Sequence, residues 1–143
     1  MEILRKENIS LNQSYNTKEE AIRAVGQLLI DGGYVEVDYV EAMIERDESA
    51  STYMGNNLAI PHGTEEAKKH VIETGISFVQ VPDGVDFGKG EAKILVGIAG
   101  KGDDHLEILS QIAIFCNEQE NIDKLIQANS EDEILDLLGG IES

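Results

Sequence analysis

Cysteine is nearly absent from this chain. A single residue, Cys116, occurs among 143, so no intramolecular disulfide staples the fold and no cysteine cluster holds a metal. Its neighbours Ile112, Ala113, Ile114 and Phe115 read it as a small buried hydrophobe rather than a nucleophile. Basic residues are scarce as well. Eleven Lys and Arg stand against 28 Asp and Glu, a formal charge of −17, which repels phosphate backbones and anionic bilayers and argues against nucleic acid or a membrane surface as partner. Long apolar runs are missing. The stretches Ile94-Leu95-Val96 and 112–116 fall far short of the roughly 20 residues that span a bilayer, and the N-terminus carries no apolar signal-peptide core. The expectation is a cytoplasmic protein without membrane insertion. Several catalytic signatures are lacking too: there is no HExxH, no G-x-S-x-G, and the glycine-rich pieces "GKGEAK" and "GKGDD" do not match G-x-x-x-x-G-K-[ST].

What is present is enough for one ordinary domain. With 41% hydrophobic residues, a chain of this length buries a core without staples, and a single domain over residues 1–143 is expected. Helical and extended signals alternate with no linker between them. "TKEEAIRAVGQLLIDGG" opens with a capping box, Thr17 and Glu20, and continues with Ile22, Val25, Leu28 and Leu29 at helical spacing. Asp38 with Glu41 and Asp104 with Glu107 repeat the capping pattern ahead of further helices, and Ser130 caps a last one that stops at Gly139-Gly140. "LAIPH" predicts a short strand ending at Pro61, with Thr64 as N-cap of a following helix. "TGISFVQVP" predicts a strand closed by the turn Pro82-Asp83-Gly84, and "VDF" another short one. The continuously apolar "ILVGIA" predicts a central strand covered on both faces. The helix after it carries an apolar stripe of Leu106, Leu109, Ile112, Ala113 and Cys116. These elements predict an α/β fold, a single mixed β-sheet with helices on both faces.

Functional groups of such folds collect at strand-to-helix loops. Two of the three histidines, His62 and His105, fall in loops of that kind. A neutral imidazole is a competent nucleophile, a second one donates a hydrogen bond to a transferred group, and a helix start supplies free N–H donors for phosphoryl oxygens. Phosphohistidine chemistry therefore suits the pair, provided their strands are neighbours. A zinc site built on the same histidines and Asp104 lacks the usual ligand spacing. Against the functional reading, a lone loop histidine is usually a polar surface residue, and His70 in "AKKHV" reads so. Gly55, Asn56, Asn57 and Gly63 are ordinary turn residues, and Arg46 an ordinary charge at a helix C-terminus.

The context of His62 is specific, however. From Asp47 through Met54-Gly55 to Leu58-Ala59-Ile60-Pro61-His62-Gly63, the spacing resembles the phosphorylation-site pattern of the mannitol/fructose-type IIA components of the bacterial sugar phosphotransferase system, and the chain is most similar to the mannitol branch. The stretch from Thr17 to Asp47 is similar to that family's N-terminal helical pair, and "GKGDDHLEILSQIA" to its second-histidine segment. The resemblance implies that His62 accepts phosphate from phospho-HPr and passes it to a cysteine of the EIIB domain of a mannitol permease. It further implies that His105 stabilises the phosphoryl group and that Arg46 belongs to its electrostatic surroundings. Gly55, Asn57 and Thr64 are candidates for shaping the loop. The chemistry requires no cofactor and no metal. Pro61 then limits the backbone, while Gly63 is expected to leave room for a partner's phosphohistidine. Tyr53, Met54 and Leu58 are expected to offer apolar contacts in a stretch, 50–63, that contains no acid. A fructose-type component and a regulatory relative signalling to a protein target are the alternatives.

Overall fold

Every residue from Ile94 to Ala99 is buried in β5 (Glu91–Ala99), the middle strand of the sheet. The computed structural model describes residues 2–141. β5 pairs antiparallel with β4 (Gly75–Asp86) and parallel with β3 (Leu58–Ala59). At one edge β1 (Ile9–Ser10) runs parallel to β4, and at the other β2 (Tyr53–Gly55) runs antiparallel to β3. The sheet is thus mixed, in the order β1-β4-β5-β3-β2.

Successive strand residues point to opposite faces, and both faces are covered. On one, α1 (Lys18–Asp31) and α2 (Asp38–Ser49) bring Ile22, Val25, Leu29 and Met43 against Val79, Val81, Leu95 and Ala99. On the other, α3 (Asp104–Cys116), α4 (Gln119–Gln127) and α5 (Glu131–Leu138) set Ile108, Ile112, Ile122, Leu125 and Ile134 against Ile76, Phe78, Ile94, Val96 and Ile98. Each such side chain contributes about 1.5–3 kcal/mol by leaving water. Gln80, polar among these residues, is buried but satisfied. Its amide protons are shared among the carbonyls of Leu125, Ile126 and Ala128, all at 3.0 Å, so it closes the C-terminal end of α4.

The local expectations divide. Thr17 Oγ1 accepts from Glu20 N at 3.2 Å and Ser130 Oγ accepts from Glu133 N at 3.2 Å, so both of these caps form. Asp38 and Asp104 do not cap. Each is already the first helical residue, and the preceding Val37 and Asp103 make no side-chain cap bond. Thr64 makes none either, and the segment after it is a 3₁₀ helix, Glu65–His70. "VDF" is not a separate strand. β4 runs on through Pro82-Asp83-Gly84 as an irregularity between Gln80 and Val85, since a proline without an N–H leaves the ladder but need not end it. The chain reverses later, where Phe87 N donates to Gly90 O at 2.9 Å. The buried stripe of α3 consists of Ile108, Ile112 and Cys116, whereas Leu106 is 58% exposed.

Candidate phosphoryl-transfer site

Asn56 and Asn57 begin the architecture of the site. Their φ angles of 52° and 67° make a two-residue turn of the left-handed kind that matches strand twist, so β2 folds tightly back on β3. Asn57 also fixes this hairpin to β5, its carbonyl accepting from Lys93 N and Ile94 N at 2.8 and 3.0 Å. Beyond β3, Ile98 N donates to Pro61 O at 2.9 Å, and a parallel bridge joins His62 to Ile98. His62 therefore sits where the strand leaves the sheet, only 9% exposed.

Its imidazole orientation is defined. Nδ1 lies 2.8 Å from the Ile60 carbonyl. A carbonyl only accepts, so Nδ1 carries the proton and Nε2 keeps a lone pair. Burial pushes the His62 pKa below 6.5, and the positive charges of Arg46 and His105 act the same way against the opposing Ile60 carbonyl. The neutral, nucleophilic form is thus favoured near pH 7.

The next strand brings the second histidine. β5 ends at Ala99, and Gly100 follows so close to the start of α3 that a methyl group on it would overlap the backbone of His105. Thr74 secures this turn: Lys101 N donates to Thr74 Oγ1 at 3.0 Å, and Oγ1 donates to Asp104 Oδ2 at 2.7 Å. Asp104, expected as part of a capping box, is used in that contact instead. The two imidazole rings end with their centroids 6.5 Å apart and tilted by 33°. His105 Nδ1 is buried and has no hydrogen-bond partner.

Arg46 stands in the last turn of α2, with Nη1 donating to Ala50 O at 2.6 Å. It lines an open cleft of about 430 Å³ together with Thr52, Met54, His62, His105 and Leu106. The neighbouring Asp47 is buried. It accepts from Thr52 N and Oγ1 at 2.9 and 2.7 Å and lies 3.0 Å from Lys18 Nζ, so it fastens the segment after α2. Burial opposes its ionisation, but the Thr52 bonds and Lys18 outweigh it, and its pKa stays below the usual carboxylate value. Of the expected apolar contacts, Met54 is 48% exposed at the cleft and Leu58 is buried in the core. Tyr53 is occupied by Phe87, with ring centroids 6.5 Å apart. His70 pairs with Glu36 at 2.9 Å and takes no part in the cleft. Gly63 does not open towards a partner: a Cβ there would fall 2.6 Å from the ring of Tyr39. Sequence reading missed Tyr39 and Thr74, which approach from distant elements and have no local signature.

The family model for the phosphoenolpyruvate-dependent sugar phosphotransferase system, EIIA 2, matches residues 2–140. The chain belongs to this family. The mannitol-specific phosphotransferase enzyme IIA component of Bacillus subtilis (strain 168) is 57% identical over 136 residues, covering 94% of this chain and 95% of that protein. The crystal structure of IIA mannitol from Escherichia coli superposes with a TM-score of 0.89 at 42% identity, covering 94% of this chain and 98% of that one. The same domain in complex with phosphorylated enzyme IIB mannitol also gives 0.89, at 40% identity, covering 96% and 97%. This chain is accordingly an EIIA component, a protein-to-protein phosphotransferase. No helix among the described residues is long and apolar enough to cross a membrane.

Proposed function

We propose that this EIIA component serves a mannitol permease in the cytoplasm, taking phosphate from phospho-HPr on His62 Nε2 and handing it to a cysteine of a mannitol-type EIIB. The observation that carries the reading is the Nδ1–Ile60 contact, which leaves a single free imidazole nitrogen on a histidine facing the cleft. In the forward step Nε2 attacks phosphorus in line, an N–P bond forms, and the N–P bond to the donor imidazole breaks. The donor ring, protonated on its other nitrogen, leaves as a neutral imidazole. The His62 ring becomes positive, and the Ile60 carbonyl, already accepting Nδ1–H, stabilises that charge. A loose transition state needs chiefly positioning and charge, which Arg46 and His105 supply around the equatorial oxygens. Transfer to the EIIB thiolate reverses the geometry: the S–P bond forms as the His62 N–P bond breaks.

Mannitol enters this reading through the relatives, whose names specify it. His62 handles only the phosphoryl group, so sugar choice rests on which EIIB fits around the cleft. The deciding experiment is incubation of His62→Ala with phospho-HPr. The expected result is a folded protein without acid-labile, base-stable label, and retained label would falsify the acceptor assignment. Phosphorylated wild type is expected to donate faster to a mannitol-type EIIB than to a fructose-type one. Equal rates would remove the sugar assignment alone.

A further inference from the structure

The bridge between His62 and Ile98 carries a side-chain hydroxyl at one of its rungs. In a parallel ladder, the residue facing His62 exchanges bonds with its two flanking residues: Ile98 N–H with Pro61 C=O, and Gly63 N–H with Ile98 C=O. The first bond is present at 2.9 Å. At the second, the Gly63 N–H donates to Tyr39 Oη at 2.9 Å, and Oη–H donates in turn to Ile98 O at 2.8 Å. A phenol hydroxyl from α2 thus links the two backbone groups of that rung, accepting from Gly63 and donating to Ile98.

We propose that Tyr39 is a positioning residue for phosphoryl transfer, its hydroxyl inserted between Gly63 and Ile98 so that the His62 imidazole is held with Nδ1 on the Ile60 carbonyl and Nε2 towards the cleft. Three observations support this. His62 is bracketed: the residues before and after it both end on the polar groups of Ile98, one directly and one through the phenol. Tyr39 is 4% exposed, and its ring occupies the space that a side chain at position 63 would need, so the ring in this place requires a glycine there. Burial raises the phenol to about 12, with the Gly63 N–H pulling the other way, so near pH 7 the hydroxyl keeps the proton it donates to Ile98. Without the hydroxyl, the Gly63 N–H loses this acceptor and the Ile98 carbonyl this donor, so the backbone after His62 loses its tie to α2.

The inference rests on His62 as the acceptor, and its test separates the two claims. Tyr39→Phe keeps the ring against Gly63 and removes the inserted oxygen. Expected are a kcat for phosphorylation by phospho-HPr lowered about tenfold with KM changed less than about twofold, since position rather than docking is lost. The ¹⁵N spectrum of the unphosphorylated imidazole is expected to move from one Nδ1–H tautomer towards a mixture, an observation that needs no phosphate transfer. An unchanged kcat overturns the proposal, as does a lowered kcat with an unaltered His62 spectrum. Should Tyr39→Phe not fold, 3-fluorotyrosine at position 39 retains ring and hydroxyl while making the oxygen a poorer acceptor. A displaced Gly63 amide signal with slower transfer then supports the proposal, and wild-type transfer overturns it. Label remaining on His62→Ala would dispose of the acceptor and leave the imidazole spectrum of Tyr39→Phe as an independent result.

Discussion

His62 and His105 face one cleft with their rings 6.5 Å apart, yet they are held by opposite means. His62 has its ring fixed: Nδ1 is engaged by Ile60, and the backbone on both sides is tied to Ile98. His105 has its backbone fixed, by Gly100 and the Thr74 hydroxyl, while its own buried Nδ1 has no partner. A nucleophile needs one lone pair aimed at one place. A group that stabilises charge passing in from one partner and out to another gains from a ring whose orientation is set by what it meets. On the proposed reading the difference separates the attacking imidazole from the assisting one, and it can be broken from either side.

The largest effect is expected from His105→Ala. One charge-assisted hydrogen bond to the phosphoryl group is worth about 1.5–3 kcal/mol, so transfer is expected to slow roughly 10- to 150-fold in both directions while label still reaches His62. Quenched-flow measurement with phospho-HPr and with EIIB reads both steps. Because the mutation also removes an unpartnered buried nitrogen, the melting temperature is expected to hold or rise. Unchanged forward and reverse rates would leave His105 without a role.

Thr74→Val comes next. It deletes the hydroxyl between Lys101 N and Asp104, costing about 1–3 kcal/mol of stability and slowing transfer about three- to tenfold through a looser His105 turn. Thr74→Ser restores the hydroxyl and is expected to recover most of the rate. If only the melting temperature moves and the rate stays, the turn serves folding and not the position of His105.

These two mutations also mark where sequence reading reaches and where it stops. The caps at Thr17 and Ser130 were legible because donor and acceptor lie three residues apart. Asp38 and Asp104 carry the same local pattern but fall one residue inside their helices, and Asp104 is claimed by Thr74, just before β4 and 30 residues away. Helix α3 hides its inward face for a related reason: Leu106 and Ile108 are equally apolar, and only the docked helix shows that Ile108 is the buried one. The loop motif around His62 was legible as a string. Tyr39, which holds that loop from 24 positions away, had no signal beyond being an aromatic in a helix.

Arg46→Gln tests the charge around His62 more gently. At pH 8 we expect a two- to fivefold slower transfer, from weaker attraction to the phosphoryl oxygens across a solvated cleft. The pH profile adds a second reading. Burial first, then the charges of Arg46 and His105, hold the His62 pKa below 6.5 in the folded protein. The unfolded chain therefore binds a proton that the folded one refuses. This group's contribution to stability is full above pH 6.5 and is lost as pH falls from there through the folded value. Removing Arg46 raises that value, so the acid limb of the rate profile is expected to move to higher pH, with the deficit growing from pH 8 to pH 6. A deficit that is constant across this range would mean that Arg46 acts on the phosphoryl group alone.

The smallest effect on transfer is expected at the far end of α3, the helix that begins beside His105. Cys116 is 4% exposed and packs among Ile112, Ile122 and the inner face of the sheet. Burial raises its thiol to about 11, so near pH 7 it is an uncharged packing group and not a thiolate. Cys116→Ser leaves the volume nearly unchanged but puts a hydroxyl among apolar atoms, with an expected loss of about 1–3 kcal/mol in denaturant unfolding. His105 is held by Gly100 and Thr74 at the other end of the helix, three turns away, so the loss is not expected to reach the cleft. Transfer in the folded protein should remain within about twofold of wild type, as the usual near-additivity of distant sites implies. A folded Cys116→Ser protein that accepts phosphate poorly would show that α3 moves as one body, with its packing end setting where His105 stands.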